Sequence, residues 1–150
     1  MTATNHVLTG AVIGAVITVP IVAIPLAFAS HFVLDALPHY DSPGQEHTSK
    51  RFLYTLFIDM AIAAALLLAI VLLQVHNWPL LVACGIAAAS PDLMWLPRWL
   101  NEIRKRPNKL MGPFRQFHSK IQRYAKPQNW PMEIVWFVAF SVLFLLKTAP

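Results

Sequence analysis

The sequence predicts an all-α membrane bundle of about five helices. Three observations carry that expectation. Of 150 residues, 57% are hydrophobic and only 13% charged, where a soluble domain carries about 25% charged residues. Mean hydropathy is +0.53. The apolar residues also fall in runs long enough to cross a hydrocarbon core about 30 Å thick. The composition excludes a disordered chain, which needs low hydrophobicity. Cys84 is the only cysteine and sits in an apolar run, which excludes a disulfide scaffold. Residues 1–150 read as a single membrane-embedded domain, with no room for a soluble two-domain enzyme.

Residues 7–37 are almost wholly apolar but hold Pro20 and Pro25. One helix of that length would be roughly 46 Å long, too long for a single span. Proline also breaks a helix interior by removing a donor and clashing with the preceding turn. Two helices are therefore expected, about 5–18 and 21–37. They form a hairpin turning near Val19-Pro20, with Thr4 or Asn5 as the first cap. A third helix is expected over 52–74, the clearest span. A fourth covers 78–96, entered through Trp78-Pro79. A fifth covers 131–147, with Pro131 in the first turn, where its missing N–H costs little. Ala27-Phe28-Ala29 looks like a signal-peptide cleavage site, but no Lys or Arg precedes Lys50, so the basic segment such a peptide needs is missing.

Basic residues set the expected orientation. Segment 97–127 holds nine of the twelve: Arg98, Arg104, Lys105, Arg106, Lys109, Arg115, Lys120, Arg123 and Lys126. Its only acid is Glu102. This excess places the loop in the cytoplasm, and alternation brings the N-terminus and the 38–51 loop to the same side. Anionic lipid explains the basic loop better than nucleic acid does, since a leaflet attracts each juxtamembrane Lys or Arg by about 1 kcal/mol. No nucleic-acid partner is expected. Trp95, Trp99 and Trp130 flank the loop as interfacial anchors, and 113–124 suits an amphipathic helix lying on the membrane.

Ionisable groups in apolar helices are costly, so each is a functional candidate. His31 and Asp35 are four apart and share a helix face. His39 continues that face or sits on the exit turn after Pro38. Two imidazoles and a carboxylate at this spacing suit a transition-metal ion, most simply Zn2+, with Mn2+ or Fe2+ as alternatives. Topology gathers His6, Asp92 and His118 to the same membrane face as further ligand candidates. Asp41 and Asp59 join them as candidates for a general base or a group that orients a ligand. Arg115 and Lys120 are candidates for holding an anionic headgroup. Each has a plainer reading. His6 can be interfacial, and Asp41 can cap its own turn before Ser42-Pro43-Gly44. Asp92 can cap a helix starting at Leu93. Asp59 can serve packing, and His118 can be a surface residue. His76 falls on the opposite side, and His47 reads as a solvated loop residue.

Thr4-Asn5-His6 with Leu8-Thr9-Gly10, and the run Ser30-His31 through Asp35 to Pro38-His39, resemble a bacterial family of small membrane-bound predicted metal-dependent hydrolases. Ser90-Pro91-Asp92 and Arg115-Gln116-Phe117-His118-Ser119 resemble that family's Pro-Asp and His-Ser elements. The resemblance covers residues 4–119 as scattered motifs and implies an inner-membrane metal site. Its ligand pattern is also distantly reminiscent of zinc-dependent phospholipase C. The chain departs from the family in two places. Leu93-Met94 follow Asp92 where members carry a fuller Asp-x-Asp, and Gln116-Phe117 stand where an extra histidine is common. A shortened ligand set implies one metal rather than two, or an inactive relative.

Three functions are then open. The first is a metal-dependent hydrolase acting on a lipid or phosphoester at the cytoplasmic interface. There a bound ion lowers the pKa of its water to about 7 and polarises a phosphoryl oxygen. The second is a non-catalytic membrane protein, its His/Asp cluster a structural metal site or packing network. Gly10 and Gly14, spaced as in a GxxxG pair, support tight packing either way. The third, a proton or metal-ion carrier, ranks last because the chain has no internal repeat. Membrane lipids are the expected surroundings, and the sequence sets no oligomeric state.

Overall fold

The computed structural model describes residues 1–41, 48–107 and 112–149. The turn expected at 42–44, His47 and Lys109 lie outside the described residues. The described chain is helical: α1 (Ala3–Val16), α2 (Pro20–Asp35), α3 (Lys50–Leu72), α4 (Trp78–Ala89), a 3-10 segment (Ser90–Trp95), α5 (Leu96–Ile103), α6 (Pro113–Ile121), a 3-10 turn (Pro127–Asn129) and α7 (Trp130–Thr148).

The first helix is capped by Thr2, whose hydroxyl accepts from the Asn5 amide at 3.4 Å, rather than by Thr4 or Asn5. Both of those side chains are engaged elsewhere. The Thr4 hydroxyl donates to Asp59 at 2.6 Å, and the Asn5 amide donates to Glu133 at 2.7 Å. α1 and α2 do form a hairpin turning at Val19-Pro20, but Pro25 does not interrupt α2. The only intrahelical bond it deletes is to Ile21, at the start of the helix. The fourth apolar segment also differs from expectation. Pro91 ends the α-helix at Ala89 and tightens the chain into a 3-10 stretch. The Ser90 hydroxyl donates to the Ala87 carbonyl at 2.8 Å, supplying the bond that Pro91 cannot.

α1 is the central element, packed against α2, α3, α4 and α7. Every residue from Thr4 to Ala11 is buried, as is Gly14. Gly10 lets α1 touch the α4 backbone, because a Cβ there would lie 2.3 Å from the Cys84 carbonyl oxygen. The glycine pair therefore serves close helix packing. Small residues dominate the adjoining core, where Ala23, Ala27, Cys84 and Ala88 are fully buried with Leu80.

The outer faces are apolar instead of polar. Ile21, Leu72, Leu73, Leu145 and Leu146 are each at least 63% exposed, which suits lipid contact and not water. Among the described residues, three stretches are long and apolar enough to cross a membrane: Lys50–Leu72, Trp78–Ile103 and Pro127–Thr148. α1 and α2, with 14 and 16 residues, reach only about 21 and 24 Å at 1.5 Å per residue.

This up-and-down order gathers the start of α1, the end of α2, the end of α4 and the start of α7 at one end of the bundle. His76 lies at the other end, beside a cavity of about 240 Å³ shared with Gly14, Thr18 and Lys147. The amphipathic segment is helical over Pro113–Ile121, three residues short of expectation. Phe114 and Phe117 are about half exposed, and both rings meet Phe32 at 5.7 Å. That contact docks α6 on α2 and turns His118 inward, where it is 7% exposed.

Candidate metal centre

Asp35, in the last turn of α2, is the hub. Its carboxylate is fully buried, and a buried charge persists only with compensating partners. Oδ2 lies 2.7 Å from His118 Nε2, 3.3 Å from His31 Nε2 and 2.8 Å from Gln122 Nε2, which donates to it. Oδ1 accepts from the Met1 amine at 2.7 Å and lies 3.2 Å from His6 Nε2. Asp92, just after Pro91, brings Oδ1 to 3.5 Å from His31 Nε2.

His31, Asp35, Asp92 and His118 thus form a group that could hold a metal ion, each offering one donor atom and all four atoms within 4.8 Å of one another. Four of the six pairwise spacings are close to those of a coordination shell. A tetrahedral ion with bonds of about 2.0–2.1 Å holds its ligands roughly 3.3 Å apart. Here His31 Nε2 and His118 Nε2 are 3.1 Å apart, and three of the other donor pairs fall between 2.7 and 3.5 Å.

Backbone groups orient the rings. His31 Nδ1 donates to the Ala88 carbonyl at 2.8 Å, one of the last-turn carbonyls of α4 that lack an intrahelical partner. His118 Nδ1 faces the Met94 sulfur at 3.3 Å. A carbonyl only accepts, so His31 carries its proton on Nδ1 and presents a lone pair on Nε2. On His118 the stronger acceptor faces the other nitrogen: Nε2 donates to Asp35 Oδ2, which only accepts, at 2.7 Å. His31 Nε2, His118 Nε2 and the Asp35 carboxylate thus face one another, and a metal ion there would take the place of the His118 proton.

His6 and His39 stand beside this group. His6 is fully buried and stacks on His31, with centroids 4.0 Å apart and planes inclined by 20°. Neither of its ring nitrogens has a hydrogen-bond partner among the described residues. The 3.2 Å approach to Asp35 Oδ1 therefore lacks hydrogen-bond direction. His39 follows α2 on the exit turn, its backbone held by Lys126, whose N–H donates to its carbonyl at 3.1 Å. Its Nδ1 donates to the Leu37 carbonyl at 2.8 Å, leaving Nε2 as a buried lone pair without a partner among the described residues. Burial pushes the His39 imidazole below the usual histidine range, so it stays neutral at pH 7.

The remaining candidates fall into other places. Both oxygens of Asp59 are taken by the start of α1: Oδ2 accepts from Ala3 N at 2.7 Å, and Oδ1 from Thr4 N at 3.0 Å. Asp59 thus anchors the helix that carries His6. Asp41 is exposed and borders a cleft of about 130 Å³ with Tyr40, Phe52, Thr55 and Asp59, outside the donor group. Arg115 and Lys120 sit on α6, three residues before and two after His118, with Lys120 exposed and Arg115 partly so.

Sequence reading missed two groups. Gln122, one helical turn beyond His118, binds the same Asp35 oxygen, and its i, i+4 spacing was the available signal. Glu133 is the only acid in the last apolar helix. It accepts from Thr2 N, Thr2 Oγ1, Asn5 Nδ2 and Tyr40 N at 2.7–3.2 Å, tying α7 to the chain around His6 and His39. An acid alone in an apolar helix is itself a signal.

No family model, curated protein or solved structure matches the chain.

Proposed function

We propose that the chain is an integral-membrane, metal-dependent hydrolase of the kind its motifs resemble, acting on a lipid or phosphoester in the bacterial inner membrane. Its N-terminus and basic 97–127 segment face the cytoplasm. The observation that carries this reading is the converging set of His31, Asp35, Asp92 and His118 donors at one end of an apolar bundle. Zn2+ suits a donor set of two imidazoles and two carboxylates, and a divalent ion there would supply Lewis acidity toward a phosphoryl oxygen. The side chain of Asp92 is 29% exposed, so the set has an opening at that residue. Arg115 and Lys120 draw an anionic headgroup toward that opening.

A structural metal site is the second reading, and the number of donors favours it, since four protein ligands fill a tetrahedral shell. One experiment separates the two. The detergent-purified protein and Asp35→Asn are assayed for metal by elemental mass spectrometry and for phosphate release from a panel of lipid phosphoesters in mixed micelles. The hydrolase reading expects metal and turnover in the wild type and loss of both in the variant. Metal without turnover of any substrate supports the structural reading. Metal-free wild type, after incubation with Zn2+ or Mn2+, refutes both.

A further inference from the structure

The end of the bundle away from the metal centre holds the cavity of about 240 Å³ bordered by Gly14, Ala15, Thr18, His76, Asn77 and Lys147. Helix lengths account for it. α1 and α7 pack side by side and are tied at the metal end, where Asn5 donates to Glu133 at 2.7 Å. From that tie α1 runs on by eleven residues to Val16, about 16 Å, while α7 runs on by fourteen to Lys147, about 21 Å. α1 therefore stops about one turn short of Lys147, and Gly14 and Ala15 are too small to fill the gap. The lining holds donors and no carboxylate. Lys147 is the only Lys or Arg after Lys126. The described acids, Asp35, Asp41, Asp59, Asp92, Glu102 and Glu133, all lie toward the other end. Asn77 precedes α4 in the left-handed region, at φ 58°, and its side chain makes no capping bond. His76 adds a ring N–H in either neutral tautomer, and Thr18 adds a hydroxyl.

We propose that this cavity binds a phosphate group, held by the Lys147 ammonium with Asn77, His76 and Thr18 as further donors. An ammonium without a carboxylate nearby calls for an anion, and lysine binds phosphate as a point charge. Pockets for drug-sized ligands measure about 300–1,000 Å³, so this smaller one suits a single charged group. Lys147 ends an apolar stretch long enough to cross a membrane, and lysine stems at such ends carry the charge to headgroup depth. Leu145 and Leu146, just before it, are exposed and offer an apolar wall to acyl chains. Lys147 also complements the carbonyl end of α7, but that role accounts for neither the recess nor the donors from two other turns. A lipid headgroup and free phosphate share this chemistry. The site needs no metal and stands apart from the metal-centre reading.

The test is ligand binding by the full-length protein, delipidated in detergent. Dimyristoyl phosphatidylglycerol and the uncharged dimyristoylglycerol are titrated by native mass spectrometry, and inorganic phosphate by calorimetry. An ionic strength of about 0.15 M, where the Debye length is about 8 Å, weakens the contribution of the basic segment. The tightest phosphatidylglycerol site is expected to weaken at least about tenfold in Lys147→Gln, since a hydrogen bond to a charged group is lost. It is expected to weaken in Asn77→Gly too, which keeps the left-handed backbone, and to stay unchanged in Lys126→Gln at the other end. That pattern identifies a lipid headgroup. Saturable binding of inorganic phosphate that is lost in Lys147→Gln, without such a lipid site, identifies free phosphate. Lipid and phosphate binding both unchanged by Lys147→Gln overturn the site. So does dimyristoylglycerol binding as tightly as the phospholipid, which makes the recess an apolar groove. Lys147 is exposed, so its variant decides the matter even if Asn77→Gly fails to fold. No arm involves metal, so failure here leaves the metal-centre reading untouched.

Discussion

The α1–α4 crossing offers the most quantitative test of this architecture. At Gly10 an added Cβ meets the Cys84 carbonyl oxygen at 2.3 Å and the Gly85 Cα at 2.8 Å. Both are backbone atoms and cannot rotate away. An ordinary contact needs about 1 Å more than the shorter distance, so Gly10→Ala must push the helices apart by about that much. Overpacking of this kind costs about 1–3 kcal/mol, partly offset by the roughly 1 kcal/mol that Ala gains over Gly in a helix. Gly14→Ala is the internal control. Its Cβ would meet Leu80 O and Leu81 Cα at 3.2 Å and the Cys84 sulfur at 3.3 Å, a strain of a few tenths of an ångström. The helical gain should then leave Gly14→Ala near wild-type stability. Melting of the detergent-solubilised proteins, followed by tryptophan fluorescence, should place Gly10→Ala below Gly14→Ala by up to about 8 °C, for a net cost of up to about 2 kcal/mol at roughly 2–4 °C per kcal/mol. Because α4 also supplies the Ala88 carbonyl to His31 and leads into Asp92, Gly10→Ala should bind Zn2+ more weakly as well. Equal melting temperatures for the two variants would refute the backbone-to-backbone crossing.

Four further outcomes follow from the same contacts. Gln122→Ala, which removes a donor to Asp35 Oδ2 but no metal ligand, should weaken Zn2+ affinity about 10–100-fold, as measured by competition with a chelating dye. Glu133→Ala leaves Thr2, Asn5 and Tyr40 donors without their acceptor and should lower stability by about 1–3 kcal/mol, while Glu133→Gln, which keeps one acceptor oxygen, should lose less in the same melt. Chelation with EDTA should lower the melting temperature, and Zn2+ should restore it, because an ion bound only by the folded state stabilises by mass action. The neutral, buried His39 must take up a proton on unfolding in acid. Its contribution to stability is therefore full above about pH 6.5 and falls as pH drops below that value. His39→Gln should show a shallower acid-side decline in a pH series of melts of the metal-free protein.

Much of the fold was legible because the physics behind it is local. A bilayer needs apolar stretches of a set length, so α3 and α7 could be read from composition and their ends from prolines and polar flanks. The turn at Val19-Pro20 and the approach of Gly10 and Gly14 to a neighbour also follow from local rules. So does the face shared by His31 and Asp35, since a helix repeats every 3.6 residues. The convergence of His6, Asp92 and His118 on that face required only that consecutive helices alternate in direction.

Tertiary structure decided the rest. Pattern alone places α1 as one span among five, whereas it is the buried axis of the bundle, because its small residues let four helices close around it. Asp59 carries the residue type of a base, yet the start of α1 takes both its oxygens. Glu133 and Gln122 gained their roles only from neighbours distant in sequence. Above all, which ring nitrogens meet at Asp35 depends on ring orientation. That of His31 is set by the Ala88 carbonyl, and hydrogen-bond partners of that kind leave no spacing in the sequence.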